Sequence, residues 1–295
     1  MSDQREQRNA IFGNASTNPP VPAGIDPRMP MQSAADKLKA EFGLDIPTEL
    51  VPLPSNGKVY PVGTSLHSTE TVEIRPMTAR EEDILTSRAL LKKGTVITEL
   101  IRSCLIDRSI NANELLTGDR NALMVAIRIT GYGPEYNTEI ECNECNAKME
   151  HSFDLSSLPI KRLEIEPVVT GSNLFEFALP YSKKVVKFRF LTGRDEEEIA
   201  VMNEKQKKLG LNAESNITTN LLHSIVSIEG IDDRSKIANF IKHMPARDSL
   251  ALRNYIKNNE PGVVMRQETT CPSCSHSEEV SMPLGVNFLW PSAAR

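Results

Sequence analysis

The chain of 295 residues has 39% hydrophobic and 25% charged residues, a composition that excludes a fibrous or wholly disordered protein. Its net charge of -5 provides no overall attraction for nucleic acid or for anionic membranes. The sequence has no apolar run of roughly eighteen residues, and its polar start, Met1–Ala10, lacks the apolar stretch of a signal peptide. We therefore expect a protein that is made in the cytosol.

Residues 1–45 form the first predicted segment, a flexible proline-rich N-terminal arm with a short helix. Prolines stand here among Ser, Thr, Asn and Gln, and such a stretch buries too little apolar surface to offset its ordering entropy. Ser33 is placed to cap a helix in which Leu38 and Phe42 share one face before Gly43 ends it. This helix is predicted either to pack on its own domain or to dock a partner.

The next segment begins with strands and a capped helix. An Asn56–Gly57 tight turn follows the first strand, and Lys58–Val62 is predicted to return as the second strand of a hairpin. Thr71–Arg75 alternates apolar and polar residues, which indicates a half-buried strand. Thr78 and Glu81 have the spacing of a capping box, so a helix is predicted to begin there.

Two more helices and a hairpin complete the first half of the chain. The helices are predicted at about Val96–Ile106 and Asp119–Ile129. Asn137–Leu155 is polar and alternating, and it folds back around Cys142 and Cys145. This pattern predicts a β-hairpin with both cysteines at its tip.

The second half of the chain repeats this order. The first match runs from Val72 to Arg80 and recurs at a constant spacing of about 114 residues, from Val186 to Arg194. The later matches pair Leu100, Ile101 and Ser103 with Leu221, Leu222 and Ser224, and Cys142 and Cys145 with Cys271 and Cys274. Chance similarity between helical stretches is the alternative, but ordered matches that end in the same Cys-x-x-Cys favour an internal duplication.

The predicted fold class is therefore α+β, with two duplicated lobes that each contain a strand, helices and a β-hairpin zinc knuckle. Residues 46–160 form the first lobe and residues 161–285 the second, related by pseudo-twofold symmetry. Residues 286–295 form an aromatic C-terminal tail that includes Phe288 and Trp290. The tail is predicted either to dock a partner as an exposed anchor or to pack back onto the second lobe.

Cys142, Cys145, Cys271 and Cys274 are the predicted ligands of a structural Zn²⁺. In a reducing cytosol, paired cysteines indicate metal or redox chemistry rather than a disulfide scaffold. One Cys-x-x-Cys cannot complete the tetrahedral thiolate shell of zinc, whereas two pairs can. Because each lobe carries one pair at the same place, we expect the lobes to share a single zinc-ribbon-like site of four cysteines.

Other uses of these cysteines stay open. A thioredoxin-type redox pair requires a helix N-terminus, whereas both pairs are flanked by strand-like sequence; unliganded thiols and disulfides are the remaining alternatives. His151 and His276 are near enough in sequence to act as spare ligands. A zinc ion saturated by four thiolates has no open position for catalysis, so the metal is predicted to be structural.

No catalytic or cofactor-binding residue is predicted, and we do not expect an enzyme. The sequence contains no Walker loop, no Gly-x-Gly-x-x-Gly, no His-Glu-x-x-His and no Gly-x-Ser-x-Gly. The acidic groups Glu81–Asp83 and Asp195–Glu198 are better explained by the helix dipole than by a metal site. The five histidines show no ligand or triad spacing.

Several runs of the first lobe resemble a known family. These are Leu53–Lys58, Arg75–Glu82, and Cys142–Cys145 ahead of a strand that ends in Phe153–Leu155. Over residues 50–160 they resemble the baseplate hub proteins of T-even (T-four-like) contractile-tailed bacteriophages. The resemblance implies a virion protein of the central hub that helps to nucleate the tail tube and sheath, and it brings no enzymatic residue.

The sequence thus predicts a structural component of a phage tail baseplate, which scaffolds tail assembly through protein–protein contacts. Its expected partners are other baseplate and tail proteins, with no membrane, nucleic acid or small-molecule substrate. It is expected in the host cytoplasm during assembly and in the virion tail baseplate afterwards. The alternatives are an assembly chaperone that is not retained in the mature particle and a zinc-ribbon nucleic-acid-binding protein, which the net charge disfavours.

Overall fold

The computed structural model describes residues 41–43, 46–208, 216–282 and 286–289. The predicted arm up to residue 40, with Ser33 and Leu38, lies outside these residues. Glu41 and Phe42 are helical, and Gly43 after them has a φ of +66°. The predicted end of this helix at Gly43 is therefore confirmed.

The first half of the chain contains two short strands, four helices and a long hairpin within its described residues. In chain order these are β1 (Glu49–Pro52), β2 (Thr71–Ile74), α1 (Ala79–Thr86), α2 (Arg88–Lys93), α3 (Val96–Cys104), α4 (Thr117–Tyr132), β3 (Glu135–Glu141) and β4 (Lys148–Asp154). β1 pairs antiparallel with β2, so that Val51 lies opposite Val72. Leu105 bridges Ile74 on the other side of β2 and extends this small sheet.

The predicted hairpin between the first strand and Lys58–Val62 is wrong. The turn itself forms, since Asn56 and Gly57 have φ values of +50° and +69°. The chain then continues through further turns, and a Cβ on Gly57 would lie 2.3 Å from the Leu66 carbonyl oxygen because the loop folds back onto the turn. A turn signal thus determined the local reversal of the chain but not the strand that β1 pairs with.

The second half adds a three-stranded sheet, five helices and a second hairpin within its described residues. Its elements are β5 (Ile160–Lys161), β6 (Phe175–Ala178), β7 (Val185–Phe188), α5 (Gly193–Lys208), α6 (Asn216–Ser224), β8 (Ile225–Ile228), α7 (Arg234–His243), α8 (Ala246–Asn259), β9 (Gly262–Val263), β10 (Arg266–Thr270), β11 (Ser277–Ser281) and α9 (Val286–Leu289). The sheet has the order β6-β7-β8, with Phe188 opposite both Phe175 and Ile225.

Both halves belong to one compact unit, Pro47–Arg295, and share one apolar core. Its largest fully buried side chains include Leu53, Ile74, Leu100, Phe153, Phe175, Phe188, Phe190 and Phe288. β5 pairs with β9, so that the segment after the first hairpin lies beside the segment before the second. Helices mixed with small antiparallel sheets make this an α+β fold, as the sequence predicted. Within the described residues, no helix has the length and apolar character needed to span a membrane.

An ion pair fixes the start of α1. Arg75 holds the buried Glu81 through Nη2–Oε1 at 2.6 Å and Nη1–Oε2 at 3.1 Å, and the Thr78 N–H donates to Glu81 Oε2 at 2.9 Å. Burial alone would raise the pKa of Glu81, but hydrogen bonds from Arg75, Ser103 and Thr78 outweigh it and lower this pKa to about 2. The predicted helix start is confirmed, with the acidic side chain as its main anchor.

The start of α5 has the same arrangement. Arg189 holds Asp195 through hydrogen bonds of 2.5 and 2.7 Å, and the Thr192 N–H donates to Asp195 Oδ2 at 2.9 Å. Burial would again raise the pKa of Asp195, but hydrogen bonds from Arg189 and Thr192 lower it to about 2. In both halves, therefore, an arginine at the end of a strand neutralises the acid in the first turn of the next helix.

Backbone hydrogen bonds give the register between the halves. The Arg75 N–H donates to the Cys104 carbonyl oxygen at 2.9 Å, and the Arg189 N–H donates to that of Ser224 at 2.8 Å. In these contacts Cys104 and Ser224 take the same place, whereas the sequence comparison paired Ser103 with Ser224.

A buried aspartate in the first turn of α4 and of α8 holds a turn of the chain in each half. Asp119 accepts hydrogen bonds from the Ser55 N–H at 2.9 Å and the Ser55 hydroxyl at 2.6 Å. Asp248 accepts hydrogen bonds from the backbone N–H groups of Tyr181 at 2.7 Å and Ser182 at 2.9 Å. Each aspartate therefore satisfies donors that burial would otherwise leave unpaired, and the two make similar contacts in the two halves.

Candidate metal centre

The first Cys-x-x-Cys lies at the tip of the hairpin β3–β4, as the sequence predicted. The two strands pair along their full length, and Cys142 and Cys145 follow directly after β3. The Cys142 N–H donates to the Ala147 carbonyl oxygen at 3.0 Å, and the Asn146 N–H donates to that of Cys142 at 2.9 Å. Asn146 has a φ of +54°, a conformation that asparagine tolerates better than most residues.

The second Cys-x-x-Cys lies at the tip of β10–β11 with the same backbone pattern. The Cys271 N–H donates to the His276 carbonyl oxygen at 2.8 Å, and the Ser275 N–H donates to that of Cys271 at 2.9 Å. Ser275 has a φ of +59°, close to the value at the matching position of the first tip. Both pairs lie between strands. Neither pair lies at a helix N-terminus, and that is the position in which thioredoxin-type redox pairs occur.

The two tips meet and bring all four sulfurs together. The Sγ atoms of Cys142, Cys145, Cys271 and Cys274 lie within 4.8 Å of one another. Two of the distances, Cys142–Cys274 and Cys145–Cys271, are 3.7 Å. A tetrahedral zinc site with Zn–S bonds of about 2.3 Å separates its sulfurs by about 3.8 Å. The four free thiols therefore have the spacing of a tetrahedral metal site.

Backbone N–H groups lower the pKa values of these thiols, whereas the neighbouring thiols lower the pKa of Cys271 and raise that of Cys274. Hydrogen bonds from the N–H groups of Cys274 and Ser273 lower the pKa of Cys271 to about 6. At Cys274 a hydrogen bond from the His276 N–H is outweighed by burial and the neighbouring thiols, which raise the pKa to about 12. Four thiols this close therefore need a cation among them before all can ionise.

Neither nearby histidine joins the thiol cluster, which among the described residues consists of the four cysteines. The ring of His151 packs edge-on against Phe153, with 4.4 Å between centroids. His276 contributes backbone atoms to the second tip rather than its imidazole.

The structure also brings His223 to the acidic group of Asp195 and Glu198, a contact that sequence reasoning missed. His223 Nδ1 lies 3.4 Å from Asp195 Oδ1 and 4.0 Å from Glu198 Oε2. His223 is on a different helix, so no sequence spacing indicated this contact. Because Arg189 already neutralises Asp195, the group is an ion-pair network around the start of α5 rather than a metal site.

The aromatic C-terminal segment is part of the core. Phe288 and Leu289 are 1% and 0% exposed, and the ring of Phe288 lies 5.1 Å from that of Tyr136 on β3. The expectation of an exposed anchor is therefore wrong for these two residues, and the ring contact of Phe288 is with a strand of the first half. Trp290 lies outside the described residues.

Comparison with known proteins gives one family. Residues 48–290 match the family model described as T4 bacteriophage base plate protein, and this range includes both hairpins. Searches of curated proteins and of solved structures give no significant match.

Proposed function

This chain belongs to the T4 bacteriophage base plate protein family, and from this premise we propose that it is a structural component of the central baseplate hub. The family match over residues 48–290 is the observation that carries the proposal, and it makes the protein a virion tail component. We propose that it scaffolds tail assembly through contacts with other baseplate and tail proteins, first in the host cytoplasm, and that it has no catalytic role.

We propose further that Cys142, Cys145, Cys271 and Cys274 hold one structural Zn²⁺. The sulfur spacing of 3.7 Å in the Cys142–Cys274 and Cys145–Cys271 pairs, and N–H groups directed at the sulfurs, support a thiolate site of this kind. A metal there would tie two hairpins far apart in sequence. It would thereby preorganise the surfaces that the protein presents to its neighbours.

We also propose that residues 46–160 and 161–285 are duplicated lobes related by a pseudo-twofold axis at the knuckles. Exchanging the two lobes converts the Cys142–Cys274 contact into the Cys271–Cys145 contact, and both are 3.7 Å long. The matching ion pairs at the starts of α1 and α5 support the same origin.

The charge of the two hairpins favours protein partners over nucleic acid. Phosphate binding needs lysine and arginine side chains, whereas exposed glutamates dominate here. These are Glu139, Glu141, Glu144, Glu150, Glu268 and Glu279. The nucleic-acid alternative therefore has no surface of suitable charge at the knuckles.

Quantitative mass spectrometry of purified tails tests the hub proposal. The chain should sediment with mature tails at a fixed copy number that fits the symmetry of the baseplate. Presence only in slowly sedimenting intermediates would replace the proposal with an assembly chaperone. Absence from tails and intermediates alike would contradict any baseplate role.

Metal analysis of the purified chain tests the zinc proposal separately. We expect one zinc per chain, and its loss in the double variant Cys142→Ser with Cys271→Ser. Ser273→Ala is the matched control, because it changes the same tip but keeps the backbone N–H that faces Cys271. Well under one zinc per folded wild-type chain would refute the site.

A further inference from the structure

Each of the two cysteine hairpins leaves the outer edge of a strand open. Within the described residues, β3 pairs with β4 and with no other strand, and β11 pairs with β10 and with no other strand. The pairing of β3 runs from Glu135 to Glu141 without a bulge. A long, regular edge of this kind presents unpaired N–H and C=O groups, on which another extended chain can form a further strand.

The hydrogen-bond pattern of the first hairpin shows which backbone groups of β3 face away from β4. At the tip, the Cys142 N–H donates across the hairpin to the Ala147 carbonyl oxygen. In an antiparallel pair, residues with hydrogen bonds across the pair alternate with residues whose backbone groups point outward. The alternation along the register of β3 therefore directs outward the backbone groups of Asn137, Glu139 and Glu141.

A groove with an apolar floor lies between β3 and β11. Its volume is about 300 Å³, and its lining includes Ile140 and Phe153 of the first hairpin together with Val280 and Met282 of the second half. Phe153 and Met282 are buried, whereas Ile140 and Val280 are half-buried. We call this space the edge groove, because the open edge of β3 forms one of its walls.

The rim of the edge groove is acidic. Glu139, Glu141 and Glu279 line it, and all three are exposed. Lys148 Nζ lies 2.8 Å from Glu139 Oε1, and Arg266 Nη1 lies 3.3 Å from Glu279 Oε2. Both ion pairs are exposed to solvent, and exposed pairs contribute little to stability, so an incoming basic group can replace them.

Negative charge is concentrated in the two hairpins. Residues 135–154 and 266–281 together contain nine acidic and two basic side chains, a net charge of -7, whereas the whole chain carries -5. A field of this sign attracts basic partners and repels acidic ones. The side chains around the open edge therefore select the kind of chain that adds to it.

We propose that an extended basic segment of another baseplate or tail protein binds in the edge groove and adds a strand to β3. Its backbone pairs with the outward groups of Asn137, Glu139 and Glu141. Its side chains alternate between apolar residues, which lie beside Ile140 in the groove, and basic residues, which lie beside the glutamates. This inference rests on the proposed scaffolding through protein contacts, and it names the kind of segment that makes one of these contacts.

Charge decides between the candidate occupants of the groove. A second copy of this chain that paired through the same edge would bring a hairpin of like charge to the rim, and like charges directly opposite each other destabilise a strand pair. A basic segment of a different protein meets the rim with the opposite charge and the floor with apolar side chains.

A short peptide of alternating lysine and valine is the probe, and isothermal titration calorimetry with the full-length chain measures its binding. The same peptide with methylated backbone nitrogens keeps the charge but loses its hydrogen-bond donors, and a peptide of alternating glutamate and valine reverses the charge. The lysine–valine peptide should bind at one site per chain. The N-methylated peptide should bind more weakly by about tenfold or more, and the glutamate–valine peptide should not bind.

Two proline variants form a matched pair. Asn137 and Ser152 lie opposite each other in the hairpin, and both are exposed. Their N–H groups point away from the partner strand, so a proline at either position keeps the hydrogen bonds between the two strands. Asn137→Pro removes a donor from the edge of β3, and Ser152→Pro removes one from the edge of β4. Circular dichroism and thermal unfolding verify that both variants fold.

Asn137→Pro should weaken binding of the lysine–valine peptide by about tenfold or more, whereas Ser152→Pro should change it by less than about twofold. If Asn137→Pro does not fold, the N-methylated peptide tests the same hydrogen bonds on the wild-type chain. Equal losses in the two proline variants, equal affinity for the N-methylated peptide, or no binding of the lysine–valine peptide would overturn the inference.

Sedimentation equilibrium separates the two occupants. The wild-type chain should show no self-association that Asn137→Pro abolishes; such an association would make a second copy the occupant and would overturn the inference. Because the copy number in tails is measured separately, a chain that sediments with mature tails and does not bind the peptide would contradict this inference and not the hub proposal.

Discussion

Glu81→Gln should destabilise the protein by about 3 kcal/mol at neutral pH. The Glu81 side chain is buried, and it accepts hydrogen bonds from Arg75, Ser103 and Thr78. These bonds lower its pKa from the ordinary 4.5 to about 2, and a shift of this size corresponds to about 3 kcal/mol of stabilisation of the charged form. Glutamine keeps the size of the side chain and removes the charge that Arg75 requires.

Urea unfolding followed by circular dichroism measures this loss. Asp83→Asn, which removes an exposed carboxylate from the same helix turn, should change the stability by less than about 0.5 kcal/mol. The lowered pKa of Glu81 makes its contribution complete above about pH 4.5 and lost as the pH falls to about 2. The wild-type and Glu81→Gln curves should therefore converge in acid.

A loss equal to that of Asp83→Asn, or one that stays constant down to pH 2, would refute this reasoning. It would mean that the cost of removing Arg75 and Glu81 from water cancels their attraction, as happens for some buried ion pairs. The start of α1 would then depend on apolar packing rather than on charge.

Three further outcomes are expected. Gly118→Ala should lower the stability by about 2 kcal/mol or more in thermal unfolding, because a Cβ there lies 1.8 Å from the Pro261 carbonyl oxygen. Gly131→Ala should lower the stability much less, because the nearest atom, at 2.8 Å, is the flexible end of the Met77 side chain. Phe288→Ala should lose about 3–5 kcal/mol in urea unfolding if the ring anchors the C-terminal segment, and a loss below about 1 kcal/mol would contradict that packing. A strong zinc chelator should lower the melting temperature of the wild type and leave that of a variant lacking two of the four cysteines unchanged; equal responses would contradict the zinc proposal.

Local sequence signals predicted the elements that form from neighbouring residues. The alternating pattern of Asn137–Leu155 is sufficient for a hairpin, because strands joined by a short tip pair with each other. The helix start at Thr78 followed from an acid three residues later, which can bond back to the backbone. For the candidate site, the two Cys-x-x-Cys motifs predicted hairpin tips that share one site, and in the structure the tips meet.

Features that depend on residues far apart in the sequence could not be predicted from local sequence patterns. The partner of β1 is set by the loop that returns to Gly57, and the turn residues carry no information about that loop. The contact of Phe288 with Tyr136 joins residues more than a hundred positions apart, so the hydrophobic sequence of the tail fits several packings. The contact of His223 with Asp195 also depends on the packing of two helices, which the spacing of the residues in the sequence does not indicate.

The long separation between the two knuckles has a consequence for how the protein is made. The cysteines in contact are 132 and 126 residues apart, so at a synthesis rate of about 5–20 residues per second the first knuckle emerges roughly 10 s before the second. During that interval the first knuckle of a nascent chain has two thiols and no second knuckle to meet them. The Zn²⁺ proposed above would complete its shell only after translation has passed Cys274. Only a finished chain would then be able to close the site, and a truncated chain would not. Where ribosomes lie close together, the first knuckles of two neighbouring nascent chains would be able to bind each other instead.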